Sequence, residues 1–265
     1  KQIFLGSERK IFVEIHSSIS LTRTMARSIG TFKVAVVLMS LMVFAVAADD
    51  MKEVERAARE IRDNSSEIIS VKPEYNTFGW KLETKQATHT IYLKEDSENN
   101  LLWFRAEALV PGNPRPIADL INDPATRKKF DKSLQNVKVL SEVSHYAGES
   151  LRTAVDTYKV STDSKPREFV YFSKTIKYEG GIVTIVNGHY QSSSVEESKS
   201  AVRGRLAQTF WEIRPIGKTQ TNVLFMGALD AGLKGDANKK AVLNDFASVV
   251  EGLSKYLSSN SKELQ

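Results

Sequence analysis

The chain has 265 residues, 41% of them hydrophobic and 26% charged, with a formal net charge of +5 and no cysteine. That is room for one large or two small domains around an ordinary core, and it excludes disulfide scaffolds, thiol catalysis and cysteine-based metal sites. A nucleic-acid footprint is excluded by where the charge sits: residues 1–47 hold six Lys/Arg and two Glu, a net of +4, which leaves the rest near neutral at +1.

Residues 1–24 precede Met25 and are assigned to an upstream segment without a fold of its own. Met25 to Lys33 is a short basic region, and Val34 to Ala47 is apolar apart from Ser40. Ala45-Val46-Ala47 has the small-x-small form of a signal-peptidase site, followed by Asp49-Asp50. This pattern predicts a signal peptide over 25–47, cleaved after Ala47, and a secreted protein or one of the secretory lumen. The apolar run falls short of the roughly 20 residues that cross a bilayer as a helix. Asn64-Ser65-Ser66 is a sequon, so Asn64 is the expected glycosylation site of such a protein.

From Ala48 onward, Met51, Val54, Ala58 and Ile61 recur at helical spacing. A polar link follows. Trp80 to Leu82 and His89 to Leu93 predict a strand pair, and Leu101 to Val110 a third strand ending at Pro111-Gly112. Pro114 to Asn122 reads as a short helix, and Ala125 to Leu134 as a further helical turn or two. Val137 to Val143 and Ser150 to Val160 read as strands.

Between Lys165 and Asp230 lie four strand-length segments rich in Val, Ile, Phe, Tyr and Thr, separated by Gly180-Gly181, a polar Ser192 to Ser200 loop, and Gly217. Alternation puts Phe169, Tyr171 and Ser173 on one side and Val170, Phe172 and Lys174 on the other. Short links between long strands predict an antiparallel meander. Asp236 then caps a long helix with Val242, Phe246, Val249, Val250, Leu253 and Leu257 in one stripe. No repeat and no long linker divides 48–265, which is read as one α+β domain.

The meander carries an ordered series: Pro166-Arg167-Glu168-Phe169-Val170, His189, Val202-Arg203, and Asp230 with Gly232. This series resembles the START (StAR-related lipid-transfer) family, from about Trp80 to about Leu257. Two positions depart from its pattern: Glu168 stands for Asp, and Gly follows Asp230 by two. The resemblance implies the helix-grip fold, a curved antiparallel sheet wrapped around a long C-terminal helix that encloses an apolar cavity for one lipid. It implies no cofactor, a lipid partner, transient membrane contact and a monomer.

Site residues divide the same way. Arg152 and Asp156 share a strand face, as do Arg105 with Glu107 and Arg203 with Arg205. A buried ion needs a partner or a polar ligand group, so such pairs are candidates for ligand selection; for Arg105 and Glu107 a solvated outer face is the better reading. Arg127 and Asp131, in ATRKKFDKSL, match positions that in phosphatidylcholine-transfer members contact the head group; packing of the Lys-Phe-Asp corner throughout the family is the other reading, and the preferred one. Phe169 keeps one aromatic of those members' choline cage, whereas Ala207 stands where another is expected. Ser173 stands where sterol-binding members carry Arg. Tyr171, His189, Arg203, Phe246 and Val250 complete the expected lipid-contacting set.

No catalytic or metal site is expected. His89, His145 and His189 lack metal-ligand spacing. The Ser192 to Ser194 run and Ser258-Ser259 lack a nucleophile setting, and Gly180-Gly181 is a turn rather than a phosphate loop. The leading reading is therefore a lipid-binding or lipid-transfer protein gated by its C-terminal helix. The alternative is a helix-grip enzyme, a cyclase or hydrolase on an apolar substrate, which inward-facing ionisable groups with strongly shifted pKa values would favour. A surface used only for protein contact would show a cavity filled by side chains.

Overall fold

The computed structural model describes residues 52–63, 79–97, 101–144, 149–191 and 195–260. The leader over 25–47, Met51, the Asn64 sequon and His145 lie outside the described residues. Backbone contacts divide the chain into Lys1–Glu53 and Val54–Gln265. The second unit carries every strand among the described residues; of the first, only the helical residues 52 and 53 are described.

Ten strands form one sheet: β1 (Lys81–Lys85), β2 (His89–Asp96), β3 (Leu101–Pro111), β4 (Leu134–Ser144), β5 (Ser150–Tyr158), β6 (Arg167–Lys177), β7 (Val183–His189), β8 (Val202–Arg203), β9 (Arg205–Ile216) and β10 (Gln220–Asp230). Their order is β1-β2-β3-β10-β9-β7-β6-β5-β4, with the two-residue β8 pairing in parallel with β6. The predicted meander is thus β6, β7, β9 and β10, laid side by side. Its first turn falls on Gly180 and Gly181, whose φ values of 78° and 79° are open to glycine at little cost.

Two short helices cross from β3 to β4: α2 (Pro114–Asn122) and α3 (Pro124–Phe130). Each opens with proline at its first position, where the missing N–H costs no hydrogen bond. The Asp123 side chain accepts from the Thr126 N–H at 2.8 Å and so caps α3. The second helix ends at Phe130, earlier than the sequence pattern suggests, because Leu134 already pairs with Tyr158 in the sheet.

The C-terminal stripe is not on one continuous α-helix. It runs through α4 (Gly235–Ala241), a π segment (Val242–Ala247) and α5 (Val249–Ser259). The Ser248 N–H donates to the Leu243 carbonyl at 3.1 Å, a five-residue step. Asp236 lies in the first turn; the capping position is Lys234, without a side-chain bond. All six stripe residues are nonetheless buried, in one cluster with Phe104, Ile185, Trp211, Ile213 and Phe225 of the sheet. At roughly 2 kcal/mol per fully buried side chain, that packing is what holds the segment down. Where α5 passes α3, a Cβ on Gly252 would lie 2.1 Å from the Phe130 carbonyl oxygen. Only glycine permits this approach.

The opposite face of the sheet is also buried. Helix α1 (residues 52–63) brings Ile61 against Trp80, Tyr92, Ile176, Val186, Phe210, Leu224 and Met226, a second apolar cluster. Lys174 Nζ and Glu55 Oε1, 3.6 Å apart, tie the same helix to β6. The reading of Arg105 and Glu107 as a solvated face is therefore corrected: Arg105 is only 5% exposed and donates to Glu107 at 2.5 Å.

Arg167, at 1% exposure, explains the Pro-Arg step of the sequence series. Its guanidinium donates to the Ala231 carbonyl (2.5 Å), the Lys165 carbonyl (2.6 Å) and the Asp163 carboxylate (2.7 Å). One side chain thereby joins the β5–β6 loop to the end of β10, just before the C-terminal helical segment.

Candidate functional site

Between the inner sheet face and the helical segment lies a cavity of about 30 Å³. One side of it is aromatic. The π segment aims Phe246 inward, where its ring sits 5.0 Å from Tyr158 and 5.5 Å from Phe169. Trp211 and Phe225 stack at 3.9 Å, and Phe104 meets Phe225 edge-on at 4.8 Å. The side chains fill nearly all of the expected apolar space, leaving about the room of one water molecule.

The other side is ionic. Arg127, from α3, places Nη1 2.9 Å from Asp156 Oδ2, Nε 3.6 Å from Asp131 Oδ2, and donates through Nη2 to the Tyr158 hydroxyl. The hydroxyls of Tyr171 and Tyr158 donate to the two Asp156 oxygens at 2.9 and 3.4 Å. One cation thus faces two carboxylates, and Arg127 Nε has no hydrogen-bond partner.

Burial sets the protonation here. It pushes the Asp131 carboxyl up to about 6, partly opposed by the Arg127 charge. It pushes Tyr171 up to about 12 and Tyr158 well above the usual phenol range, so both stay protonated donors at neutral pH. Burial works against the Arg127 charge too, but Tyr158, Asp156, Tyr171 and Asp131 outweigh it and hold the guanidinium firmly protonated.

Six of the sequence-derived candidates line this cavity: Arg127, Asp131, Asp156, Phe169, Tyr171 and Phe246. Five do not. Arg152 shares Asp156's strand face but lies four residues away, about 13 Å along a strand. It donates to the Asn122 carbonyl at 2.6 Å and lines a separate polar groove under α2. Ser173, its partner across the β5–β6 ladder, is buried outside the cavity. Val250 is wholly buried in the core, on the neighbouring side of α5 from Val249. His189 is exposed at the end of β7, where partial burial and the Arg205 and Arg203 charges lower its pKa. Arg203 lies on β8 and donates to Glu168 at 2.9 Å and to the Glu196 carbonyl at 3.1 Å, fastening the preceding loop.

Other lining residues escaped the sequence reading, notably Tyr158, Asn187, Leu206, Thr209 and Trp211. Period-two counting from Asp156 reaches Tyr158. It fails in β9, where the register shifts opposite Ala228 and Leu229, so that Leu206 and Thr209, three apart, both face inward. Ala207 is the residue left without a partner in that register. Among the described residues, no group of three or more His, Asp or Glu is placed to hold a metal ion.

No curated protein matches the chain in sequence. Among solved structures, human StAR-related lipid transfer protein 5 is similar in fold, with a TM-score of 0.69 and 16% identity, over 79% of this chain and 99% of that one. Human STARD10 gives 0.59 and 15% over 78% and 83%. A STAR-related lipid transfer protein fragment from Xanthomonas axonopodis gives 0.55 and 17% over 68% and 99%. The START domain family model matches residues 62–238, a span that takes in α2, α3, the whole sheet and the Arg127–Asp156 cluster, and the chain belongs to the START domain family.

Proposed function

We propose that the protein binds one hydrophobic ligand between the sheet and the C-terminal helical segment, and carries it as a lipid-transfer protein. The observation that carries this reading is the buried Arg127, Asp131, Asp156, Tyr158 and Tyr171 cluster at one end of an aromatic-lined cavity. A core that only needs to be filled has no use for three charges; Arg127 pairs with both carboxylates, but one anion is left over and Arg127 Nε keeps no hydrogen-bond partner, which leaves capacity for a polar ligand group. The family and the names of the similar structures support the same reading. A contact-only module would also show a filled interior, and the ionic cluster is what argues against it.

A cavity of about 30 Å³ holds no lipid, so binding requires opening. The segment suited to move is the one with the irregular turn, since it carries Phe246 into the cavity. Its anchor is Asp245, which accepts from the Ser161 N–H and Oγ at 2.7 and 2.9 Å. Burial of ligand chains, at about 0.8 kcal/mol per CH₂, supplies the driving force. The ligand is a phospholipid, fatty acyl chain, sterol or similar molecule with its polar end at Arg127 and Asp131. The chain acts as a monomer in the secretory lumen or outside the cell, with its signal removed after Ala47, and it touches membranes transiently. Native mass spectrometry of the protein from a secretory host, followed by organic extraction, tests this. A stoichiometric adduct of one lipid class is expected; a bare mass after incubation with mixed lipids would overturn the reading. The N-terminal residue of the same sample tests the cleavage.

One observation favours a second reading, an enzyme acting on an apolar substrate. Asp131, inward-facing and with its carboxyl near neutrality, stands where a general acid or base could serve. Cyclisation or hydrolysis of a bound apolar substrate, abolished by Asp131→Asn, would establish it. Unchanged recovery of substrates from the cavity would remove it.

A further inference from the structure

Arg152 is a buried cation without a counter-ion. It is 6% exposed, and its one hydrogen bond among the described residues runs from Nη1 to the Asn122 carbonyl at 2.6 Å, at the end of α2. Its Nε is enclosed and has no hydrogen-bond partner. A guanidinium held out of water in this way is costly unless an anion meets it. No described carboxylate does so, although Glu142 stands directly across the β4–β5 ladder.

The Arg152 side chain lines a groove of about 350 Å³ between α2, the start of α3 and the edge of the sheet. The groove shares no lining residue with the aromatic cavity, and apart from Pro124 and Val139 its lining is polar. Three acids line it: Asp119, Asp123 and Glu142. Asp123 is already engaged as the cap of α3, accepting from the Thr126 N–H at 2.8 Å. Asp119 and Glu142 are exposed and pair with no cation among the described residues.

These charges select the occupant. One Arg against three acids leaves the groove negative, so a bare anion is repelled from it. A bare cation suits Asp119 and Glu142 but gives the Arg152 Nε nothing to donate to. A molecule that carries both charges satisfies both sides. Opposed residues of an antiparallel pair stand only about 5 Å apart, so the two charges must lie close together, as they do in an amino acid.

We propose that this groove binds a small zwitterion of the amino-acid class, with its carboxylate on Arg152 and its ammonium on Glu142 and Asp119. The carboxylate accepts charge-assisted hydrogen bonds from the guanidinium, and the ammonium donates them to the two acids. The site is separate from the aromatic cavity and does not rest on the carrier reading. Its competitor is internal: Glu142 closing directly on Arg152. That pair and a bound zwitterion exclude each other.

The test is saturation-transfer NMR on the full chain with glycine, β-alanine, acetate and methylammonium as probes, each followed by titration. Glycine or β-alanine should bind. Acetate and methylammonium, which each carry half of the charge pair, should not. Glu142→Gln and Arg152→Gln should each weaken zwitterion binding at least about tenfold. Glu142 is exposed, so its variant decides the matter even where loss of the buried Arg152 unfolds the chain. Glu179→Gln, the same change in the exposed turn between β6 and β7, should bind as wild type does. Binding of no probe would overturn the proposal and leave Glu142 as the partner of Arg152. Acetate or methylammonium binding as well as the zwitterions would also overturn it, as would an equal loss in Glu179→Gln. Native mass spectra of the same samples keep this reading apart from the carrier reading: an absent lipid adduct counts against the carrier alone, and the NMR result decides the groove in either case.

Discussion

Asp131 concentrates the chemistry of the site in one carboxyl. Its pKa rises from 3.8 to about 6 because burial penalises the ion more than Arg127 rewards it. Between those values the folded chain holds the proton more tightly than the unfolded chain. Stability from this group is therefore full below about pH 4, is lost as pH rises through about 6, and the whole cost of the buried ion is present above that. Asp131→Asn removes the cost and keeps an acceptor oxygen, while Arg127 retains Asp156 at 2.9 Å. The variant should be more stable than wild type at about pH 8, by up to about 3 kcal/mol, with the gap closing near pH 4. Urea melts at the two pH values measure it. A gap of equal size at both would show that the titration of Asp131 is not its cause, and a loss of stability at pH 8 would show that the ion pair with Arg127 dominates.

The π segment decides access at the scale of elements. Phe246→Ala takes away the ring that bridges Tyr158 and Phe169. The ligand-free protein should lose about 3–5 kcal/mol in thermal or chemical melts. Ligand occupancy at a fixed lipid concentration should rise, because the space no longer has to be vacated first. Lower occupancy would make Phe246 a ligand contact rather than a plug. Asp245→Ala acts on the same segment from its other side. It leaves the Ser161 N–H without its acceptor and frees the π turn. Lipid exchange between vesicles should be faster, and amide hydrogens over Val242–Ala247 should exchange faster; unchanged protection there would mean that the turn is held by packing alone.

For the whole molecule, the sheet's burial on both faces matters most. A chain truncated through residue 63 loses α1 and uncovers the cluster of Trp80, Tyr92, Phe210 and Met226. Such a patch promotes association. The truncated protein should bind an apolar dye and self-associate in light scattering, while the full chain does neither. Equal behaviour would mean that the outer cluster is covered by something other than α1.

Much of this architecture was legible because it is local. Strand alternation over Phe169–Ser173 and the helical stripe from Val242 to Leu257 are properties of short chain segments; the first appears where its period places it, and the second is buried as expected although a π segment interrupts its helix. The order Pro166-Arg167, His189, Val202-Arg203, Asp230 identifies the family, although in the fold Arg167 and Arg203 serve as staples and His189 stands at a strand end. Alternation names a side of the sheet but not a distance along it. Arg152 and Asp156 were therefore grouped together, although only Asp156 reaches the cavity. It also cannot see the irregular register in β9, nor that α1 covers the face left to solvent in the sequence reading.

By itself, then, the sequence determined the α+β elements, their antiparallel meander and the family they belong to, since backbone periodicity and turn chemistry act over a few residues. The tertiary structure decided that the cavity is nearly closed and that Arg127 meets Asp131, Asp156 and Tyr158 within it. Those features depend on rings and charges from many separate strands and helices meeting at packing distance, and no local pattern encodes such a meeting.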